Sequence, residues 1–389
     1  MISRNKKILV ITGTRAEFGL LQWIMKEIEL SQKMDLYVCA TGMHLSEEYG
    51  STYKTIEDAG FKIDKKIDIL LSSDNPVGIS KTVALGIISF SEYLDELNPD
   101  LMIVLGDRYE ILAASIAATF SRVPIAHIHG GETTEGLIDE PIRHSITKMS
   151  HFHFPSTETY KKRIIQLGEN PKNVFLTGAP GLDNLEKLDL LSKKELEEQL
   201  DFKFEERVAL VTFHPVTLEE GSAENQIKSL VQALDYFKDL KIIFTMPNAD
   251  TDGKIIKYEI ERYLAKDPKK GKLFKSLGQL KYLSAIQYVD VVIGNSSSGL
   301  IEVPSFKIPT INIGDRQKNR ISGETVIHCK SDKDSIIEAI IKSFDEDYRK
   351  KCTIEKNPYG EPGASKKIVS ILETLNFNKS IIKKKFFDL

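Results

Sequence analysis

The sequence predicts an α/β protein with two doubly wound domains, each a parallel sheet covered by helices on both faces. Short apolar runs rich in β-branched residues alternate with longer segments of helical period in both halves of the chain. The chain has 389 residues, 41% of them hydrophobic, and single hydrophobic cores rarely grow past about 250 to 300 residues. We therefore expect two domains, and the alternation indicates βαβ units in each.

The first domain is predicted from the elements of the amino-terminal half, taken in order. The apolar run KILVIT is followed by a helical segment, AEFGLLQWIMKEIEL, and then by a second run, DLYVCAT. Later come the run LMIVL, the helical segment YEILAASIAATF and the run VPIAHI. The run LMIVL is apolar at every position, which is typical of a strand covered by helices on both faces of a parallel sheet.

The second domain repeats this plan after a break in the pattern. Gly178, Pro180 and Gly181 fall close together in NVFLTGAPGLDNL, so we place the domain boundary near Gly178. The runs KIIFT, VDVVIG and PTINIG then alternate with helical segments, and the chain ends in the amphipathic segment ASKKIVSILETL and a short tail. The predicted domains are residues 1–178 and 179–365, followed by a helix and tail at residues 366–389.

The composition argues against several classes of protein. A net charge of −3 and a pI near 6.3, with basic residues scattered among acidic ones, give no field that would attract nucleic acid or an anionic membrane. Cys39, Cys329 and Cys352 are too far apart in sequence for a zinc or disulfide pattern, which fits a reducing compartment. No apolar stretch approaches the roughly 18 residues of a membrane helix. We expect a cytoplasmic protein with no nucleic-acid or membrane partner.

Two loops that follow predicted strands have the composition of anion sites, because ligands of open α/β sheets bind beyond the carboxyl ends of the strands. In GTRAEFG, Gly13 permits a tight turn, Arg15 offers a bidentate fork for phosphate, and the next helix begins with free amides. A plain turn with a surface arginine is the alternative. Neither a GxGxxG fingerprint nor a Walker A loop is found, so no nicotinamide or ATP chemistry is expected.

The second loop, IGNSSSGLIE, lies in the carboxyl-terminal half. Its hydroxyls and backbone amides could wrap a diphosphate, and Glu302 would reach a ribose diol from about one to two helical turns farther on. An ordinary helix N-cap is the alternative for this loop. The residues predicted to bind the nucleotide here are Ser296, Ser297, Ser298, Gly299 and Glu302.

Titratable side chains crowd the ends of predicted strands in the first domain, a costly arrangement unless a site uses it. His127 and His129 stand two residues apart at the end of one predicted strand, and we expect His127 to be a structural histidine in the core and His129 to face the ligand. A metal site of both histidines with Asp107 is an alternative that lacks a complete ligand set. In the second domain, His214 ends a strand and suits contact with a phosphate or a leaving group. The first-domain group consists of Asp107, His127, His129, Glu132, Asp139 and Glu140.

An ordered set of motifs carries a family resemblance. Along the chain these motifs are GTRAEF, TGMHL, LGDRYEI, AHIHGGE, IDEPIRHSITKMSH, TFHPVT and IGNSSSGLIEVPS. In this order they resemble the hydrolysing UDP-N-acetylglucosamine 2-epimerases of bacterial sialic acid synthesis. The later segment INIGDRQKNR is also similar to that family, and the resemblance extends from about Lys7 to beyond Arg316.

The resemblance implies a GT-B-like fold, in which a UDP-amino sugar binds in the cleft between two Rossmann-like domains and the last helix crosses back onto the first domain. The implied reaction converts UDP-N-acetylglucosamine and water into N-acetylmannosamine and UDP, the first step of sialic acid synthesis. Because the proton on carbon 2 is not acidic, the implied route eliminates UDP to form a glycal and then hydrates it. This route uses no cofactor and no metal, and a homodimer or homotetramer is expected.

The resemblance also implies roles for individual residues. Asp107, Glu132 and Asp139 resemble the acid/base carboxylates of the family. Relatives that do not hydrolyse, and some animal relatives, resemble HIEGG where this chain has His129, so His129 and Glu140 are alternative proton carriers. The expected substrate contacts are Arg15, His214, Ser296 and Ser297 at the diphosphate, Glu302 at the ribose, and His44 and Arg108 near the sugar or phosphate.

Four other functions stay open at this point. Enzymes of legionaminic acid synthesis look similar but act on UDP-2,4-diacetamido-2,4,6-trideoxyglucose, and a few pocket contacts decide between the two sugars. A nonhydrolysing epimerase would release UDP-N-acetylmannosamine. A glycosyltransferase shares the fold but needs a single base, and a noncatalytic sensor has no use for clustered carboxylates.

Overall fold

The computed structural model describes residues 4–71, 75–134, 138–205, 207–215, 222–246, 253–377 and 379–389. The chain forms two compact units. Unit 1 comprises Met1–Glu132, Asp139–Asp183 and Tyr359–Leu389, and unit 2 comprises Thr133–Ile138 and Asn184–Pro358.

Unit 1 contains a six-stranded sheet in which all strand pairs are parallel. Its strands are β1 Lys6–Thr12, β2 Met34–Thr41, β3 Lys65–Ile67, β4 Leu101–Leu105, β5 Ile125–Ile128 and β6 Phe152–Phe154. Their order in the sheet is β3-β2-β1-β4-β5-β6. The winding direction therefore reverses between β1 and β4, and such a switch point is where open α/β sheets bind ligands.

Unit 2 repeats the same topology. Its strands are β7 Arg207–Thr212, β8 Leu240–Thr245, β9 Gly271–Phe274, β10 Val291–Gly294, β11 Thr310–Ile313 and β12 Val326–Cys329. They are parallel and follow the order β12-β11-β10-β7-β8-β9, so the switch point lies between β7 and β10. The predicted α/β class with two doubly wound, Rossmann-like domains is confirmed.

Helices connect the strands, and none in the described ranges combines the length and hydropathy of a membrane span. The α-helices are α1 Arg15–Glu29, α2 Tyr53–Asp58, α3 Pro76–Leu97, α4 Tyr109–Ser121, α5 Asp139–Met149, α6 Glu158–Gln166, α7 Asn184–Lys187, α8 Lys193–Leu200, α9 Ser222–Tyr236, α10 Gly253–Lys266, α11 Gly278–Ile286, α12 Ser298–Ile301, α13 Lys333–Ser343, α14 Glu346–Ile354 and α15 Ala364–Thr374. Short 3₁₀ turns lie at Gly42–His44, Pro171–Asn173, Pro180–Asp183, Val303–Phe306 and Lys379–Ile382.

Each face of the unit 1 sheet packs a separate core. Ile8 and Val10 of β1 belong to one core, and Leu9 and Ile11 belong to the other, because side chains alternate along a strand. Helix α15 contributes Ile368 to the first core, so the carboxyl-terminal helix is an integral part of unit 1. Both faces of the sheet are buried, which explains why the run LMIVL of β4 is apolar at every position.

Candidate active site

The first loop of unit 1 is stabilised by the side chain of Glu17. Thr14 caps α1, with its hydroxyl accepting from the amide of Glu17 at 3.2 Å, and Glu17 Oε2 accepts from the amides of Gly13 at 2.7 Å and Thr14 at 3.2 Å. This capping box uses amides that the sequence predicted to be free for an anion. Arg15, in the first turn of α1, is therefore the group of this loop best suited to a phosphate.

Glu17 has a second buried carboxylate beside it. Glu17 and Glu110 are 5% and 0% exposed, and burial together with the charge of Glu110 raises the pKa of Glu17 to about 8. Arg108 Nε donates to Glu110 Oε1 at 2.6 Å, and a side chain on Gly13 would lie 2.6 Å from Glu110. Arg108, predicted as a substrate contact, thus holds Glu110 in place, and residue 13 must be glycine to let the acid pair approach the turn.

We predict that the pH dependence of stability reveals the protonated state of Glu17. Its pKa rises from 4.5 in its ordinary state to about 8 in the folded protein, so the folded state binds this proton more tightly than the unfolded state does. The resulting stabilisation is complete below about pH 4.5 and is lost as the pH rises toward about 8, at up to about 1.4 kcal/mol per pH unit. Chemical denaturation at several pH values measures this slope.

The neutral variant Glu17→Gln supplies the comparison, because a neutral amide removes the titration at this site. Relative to Glu17→Gln, the wild type should lose stability across this pH window. The matched control is Glu29→Gln in the same helix, where the carboxylate pairs with Lys26 near the surface. Parallel curves for wild type and Glu17→Gln would contradict the proposed protonation.

His44 connects this loop to the turn after β2. Its backbone amide donates to Gly13 O at 3.1 Å, and its ring nitrogens lie 3.1 Å from Thr12 Oγ1 and 2.9 Å from Thr52 Oγ1. Burial lowers the pKa of His44 to about 4, so the ring is neutral. The ring is already hydrogen-bonded within unit 1, and its role beside the substrate stays a prediction.

Arg143 assembles the central cluster of unit 1. Its side chain is 3% exposed, donates to Asp107 through Nη2 and to the backbone oxygen of His129 through Nη1 at 3.0 Å, and lies 3.5 Å from Glu132 Oε2. These contacts join the carboxyl end of β4, the carboxyl end of β5 and helix α5. One guanidinium thereby contacts three residues that the sequence singled out separately, which are Asp107, His129 and Glu132.

Sequence reasoning did not assign Arg143. One signal could have found it, because Arg143 shares the buried face of α5 with Ile146 and Thr147, and an arginine on such a face needs carboxylate partners. Asp139 and Glu140 lie half-buried in the first turn of the same helix, where Glu140 pairs with His144 at 3.1 Å.

His127 in β5 and His129 just after it have different surroundings, and His127 lies in the core as predicted. His127 is fully buried, with its ring nitrogens 3.1 Å from Thr147 Oγ1 and 2.8 Å from Gly106 O, and burial lowers its pKa to about 3. His129 follows the strand in a left-handed conformation with φ of 61°. Its Nδ1 is hydrogen-bonded to Glu132 Oε1. Among the described residues, no group of three or more His, Cys, Asp or Glu side chains is arranged to hold a metal ion.

Unit 2 presents its polar residues at the switch point between β7 and β10. Asn295, after β10, accepts from the amide of His214 at 2.7 Å and donates to the backbone oxygen of His214 at 2.8 Å, which ties the two strand ends together. Arg316 and Gln317 donate to the backbone oxygen of Asn295 at 3.0 and 2.9 Å. Burial, with the nearby charge of Arg316, lowers the pKa of His214 well below its ordinary value, so this histidine is neutral.

The serine loop itself differs from the prediction in one respect. Gly294 has φ of 144°, and a side chain there would lie 1.8 Å from Thr212 O, so the loop can begin only with glycine. Helix α12 has only four residues and ends before Glu302, which gives it a small dipole. Binding of an anion by Ser296, Ser297 and Ser298 stays a prediction that depends on their hydroxyls more than on the helix dipole. Arg316, which sequence reasoning did not assign, lies beside this loop and donates to the backbone oxygen of Asn295.

Comparisons with known proteins agree with this description. Residues 26–373 match the family described as UDP-N-acetylglucosamine 2-epimerase. GDP/UDP-N,N′-diacetylbacillosamine 2-epimerase (hydrolyzing) from Campylobacter jejuni is 41% identical over 386 residues, covering 99% of this chain and 100% of the relative. Polysialic acid biosynthesis protein P7 from Escherichia coli is 41% identical over 385 residues, covering 99% of this chain and 98% of the relative.

Solved structures show the same fold. The crystal structure of UDP-GlcNAc 2-epimerase from Neisseria meningitidis bound to UDP-GlcNAc has a TM-score of 0.83 at 22% identity, covering 94% of this chain and 99% of that one. The family match spans most of the sequence, and the relatives are similar over nearly their whole length. The chain belongs to the UDP-N-acetylglucosamine 2-epimerase family.

Proposed function

We propose that this chain is a hydrolysing 2-epimerase that converts a UDP-linked 2-acetamido sugar and water into UDP and the free 2-epimer. The observation that carries this proposal is the cluster at the carboxyl ends of β4 and β5 in unit 1, where Arg143 contacts the carboxylates of Asp107 and Glu132 and the backbone oxygen of His129, and Glu132 contacts the His129 ring. A binding protein has no need for several titratable groups on one buried arginine. An acid/base enzyme needs them within reach of one substrate.

The chemistry of the substrate explains what these groups do. Removal of the proton from carbon 2 becomes feasible when the bond from carbon 1 to the UDP oxygen breaks at the same time, which yields a glycal and UDP. Water then adds its hydroxyl to carbon 1, and carbon 2 receives a proton on its opposite face. Each half of the route needs a proton carrier near carbon 2, and Asp107, His129, Glu132 and Asp139 are the candidates in unit 1.

Departure of UDP also needs groups that stabilise the charge on the diphosphate. In unit 2, Ser296, Ser297 and Ser298 supply hydroxyls, and the guanidinium of Arg316 adds a positive charge beside the neutral His214. A neutral imidazole can donate one hydrogen bond to a phosphate oxygen without being a competing acid. We assign Glu302 to the ribose hydroxyls, since a carboxylate accepts hydrogen bonds from both.

For the sugar, we propose UDP-2,4-diacetamido-2,4,6-trideoxyglucose, which is UDP-N,N′-diacetylbacillosamine. The Campylobacter jejuni relative named for this sugar is 41% identical over 99% of the chain, which supports the choice. UDP-N-acetylglucosamine, giving N-acetylmannosamine, is the second candidate. A relative named for polysialic acid biosynthesis, equally similar at 41% identity, favours it.

Proton NMR in heavy water tests both candidates with the purified protein. Each UDP-sugar is incubated separately, and Asp107→Asn is run beside the wild type. Free 2-epimer carrying deuterium at carbon 2, together with UDP, supports the proposed reaction, and the faster sugar by kcat/KM is the substrate. A 2-epimer that remains attached to UDP would indicate a nonhydrolysing epimerase. Absence of reaction with both sugars would contradict the proposed function.

We predict that Arg15→Ala weakens the binding of UDP itself. A charge-assisted hydrogen bond from this guanidinium to the diphosphate accounts for roughly 1.5 to 3 kcal/mol, which is about a 10-fold to 150-fold increase in Kd. Isothermal titration calorimetry with UDP measures the change. The control is Arg4→Ala, which removes the same charge from an exposed pair with Asp100 at the opposite end of the sheet. Equal affinities for the two variants would remove Arg15 from the phosphate site.

A further inference from the structure

We propose that His129 Nε2 is the atom that removes the proton from carbon 2, and that Glu132 acts through His129 as a positioning residue. This inference rests on the proposed function and deepens it. It changes the role expected for Glu132, which the sequence had placed among the acid/base carboxylates.

Glu132 is too fully engaged to reach a sugar carbon. Its side chain is 1% exposed. Oε1 contacts His129 Nδ1 and accepts from Ser156 Oγ at 3.0 Å, while Oε2 lies 3.5 Å from Arg143 Nη1. Both oxygens therefore face protein groups that hold the carboxylate in place. A proton acceptor needs a lone pair that a substrate can approach within hydrogen-bond distance.

The contact with Glu132 determines which nitrogen of His129 carries the proton. An ionised carboxylate only accepts hydrogen bonds, so Nδ1 carries the hydrogen and Nε2 keeps its lone pair. Nε2 is buried, and it has no hydrogen-bond partner among the residues that the structure describes. Buried polar atoms are nearly always paired, so an unpaired imidazole nitrogen at the end of a strand points to a ligand that completes it.

The backbone of His129 is held in an uncommon conformation just after β5. A non-glycine residue with φ of 61° is uncommon and is kept only where its surroundings fix it. Here the amide of His129 donates to Phe154 O at 3.3 Å, and its backbone oxygen accepts from Arg143 Nη1 at 3.0 Å. Arg143 also contacts Asp107, so the same side chain fixes His129 relative to the next carboxylate of the cluster.

The proposed step moves the proton of carbon 2 to His129 and releases UDP. His129 Nε2 takes the proton of carbon 2, the electron pair of that bond forms the double bond to carbon 1, and the bond from carbon 1 to oxygen breaks with its electrons leaving on UDP. Glu132 stabilises the imidazolium without accepting the proton, which is the task of the carboxylate in a Ser-His-Asp triad. The imidazolium then gives its proton to solvent, and hydration of the glycal uses a separate acid.

His129→Asn is the sharpest variant, because asparagine tolerates the left-handed conformation and its amide can still donate to Glu132. It lacks the outer part of the ring, including the nitrogen proposed as the base. We expect kcat to fall by about 10²-fold to 10⁴-fold, while UDP affinity and the melting temperature stay close to the wild type. A substrate deuterated at carbon 2 should show a larger isotope effect on kcat, since proton removal becomes limiting. Unchanged kcat in this folded variant would overturn the proposal.

A double-mutant cycle separates the two roles. Glu132→Gln alone should lower kcat by about 10-fold to 100-fold, as loss of a residue that orients a functional side chain does. If Glu132 acts only through His129, adding Glu132→Gln to His129→Asn costs nothing further. If the two losses multiply, Glu132 has a direct role and the inference is wrong. Wild-type turnover in the same assay establishes the proposed function independently.

A second measurement does not depend on activity. The chain has eight histidines, so selective ¹⁵N labelling gives a small set of ring signals, and His129→Asn identifies the signal of residue 129. A hydrogen on Nδ1 together with a bare Nε2 in the free protein supports the assignment, and a ring with hydrogens on both nitrogens would contradict it. A hydrogen on Nε2 with bare Nδ1 would overturn it whatever the substrate.

Discussion

Replacing Asp107 by asparagine is expected to lower kcat at least about 10³-fold, within the range that general acid/base groups contribute, while UDP affinity changes by less than about twofold. Asp107 follows β4, is 18% exposed on its side chain, and is paired with the buried Arg143. Asparagine keeps the shape of the carboxylate but carries no charge and no exchangeable proton of useful acidity. The reaction therefore loses one proton carrier, and the charge of Arg143 loses its strongest partner.

The control for this variant is a carboxylate just before the same strand. Asp100 precedes β4 and pairs with Arg4 at the amino end, far along the strand from the ligand edge. Asp100→Asn makes the identical chemical change, and we expect it to leave kcat within about twofold of the wild type, as exposed ion pairs contribute little. Steady-state kinetics with the substrate identified by NMR compares both variants. Full turnover by Asp107→Asn would exclude Asp107 from the acid/base set.

The fold was predictable because local patterns and tertiary environment agree over most of the chain. The run LMIVL becomes the fully buried strand β4, since only a strand covered on both faces requires apolar residues at every position. Gly13 was recognisable as a turn glycine, yet the acid pair that makes it necessary is a tertiary contact. Gly294, where a side chain would meet Thr212 O of the neighbouring strand, was not singled out from the sequence. Sequence spacing carries no information about such contacts.

The residue types of the candidate site could be predicted from the sequence, but most contacts between these residues could not. Strand alternation places residues two apart on the same face, so it could not separate His127 from His129. The two rings differ because His129 turns into a left-handed conformation, and its backbone is held by Arg143 and Phe154, which lie far from it in sequence. Arg143 was not assigned because its segment has the pattern of an ordinary amphipathic helix. Polar residues at strand ends are therefore a good guide to where chemistry occurs, while the role of each residue depends on which partners the fold supplies.

Replacing Asp183 by alanine is expected to destabilise unit 1 by about 3 kcal/mol or more, because it removes charge-assisted hydrogen bonds to several amides at once. Asp183 is 2% exposed, its Oδ1 accepts from the amides of Gly363 at 2.6 Å and Ala364 at 3.0 Å, and its Oδ2 accepts from Ser365 at 2.7 Å. It therefore caps the start of α15 from a distant part of the chain.

The effect extends beyond the cap, since α15 buries Ile368 and Leu372 in the core that contains Ile8 of β1. Trp23, the single tryptophan of the chain, lies in α1 of this unit, so its fluorescence during chemical denaturation reports unit 1 specifically. Asp58→Ala removes an exposed carboxylate from the same unit and should change stability by less than about 0.5 kcal/mol. If Asp183→Ala changed the free energy of unfolding no more than this control does, the cap would contribute little. The packing of the apolar face of α15 would then account for its position.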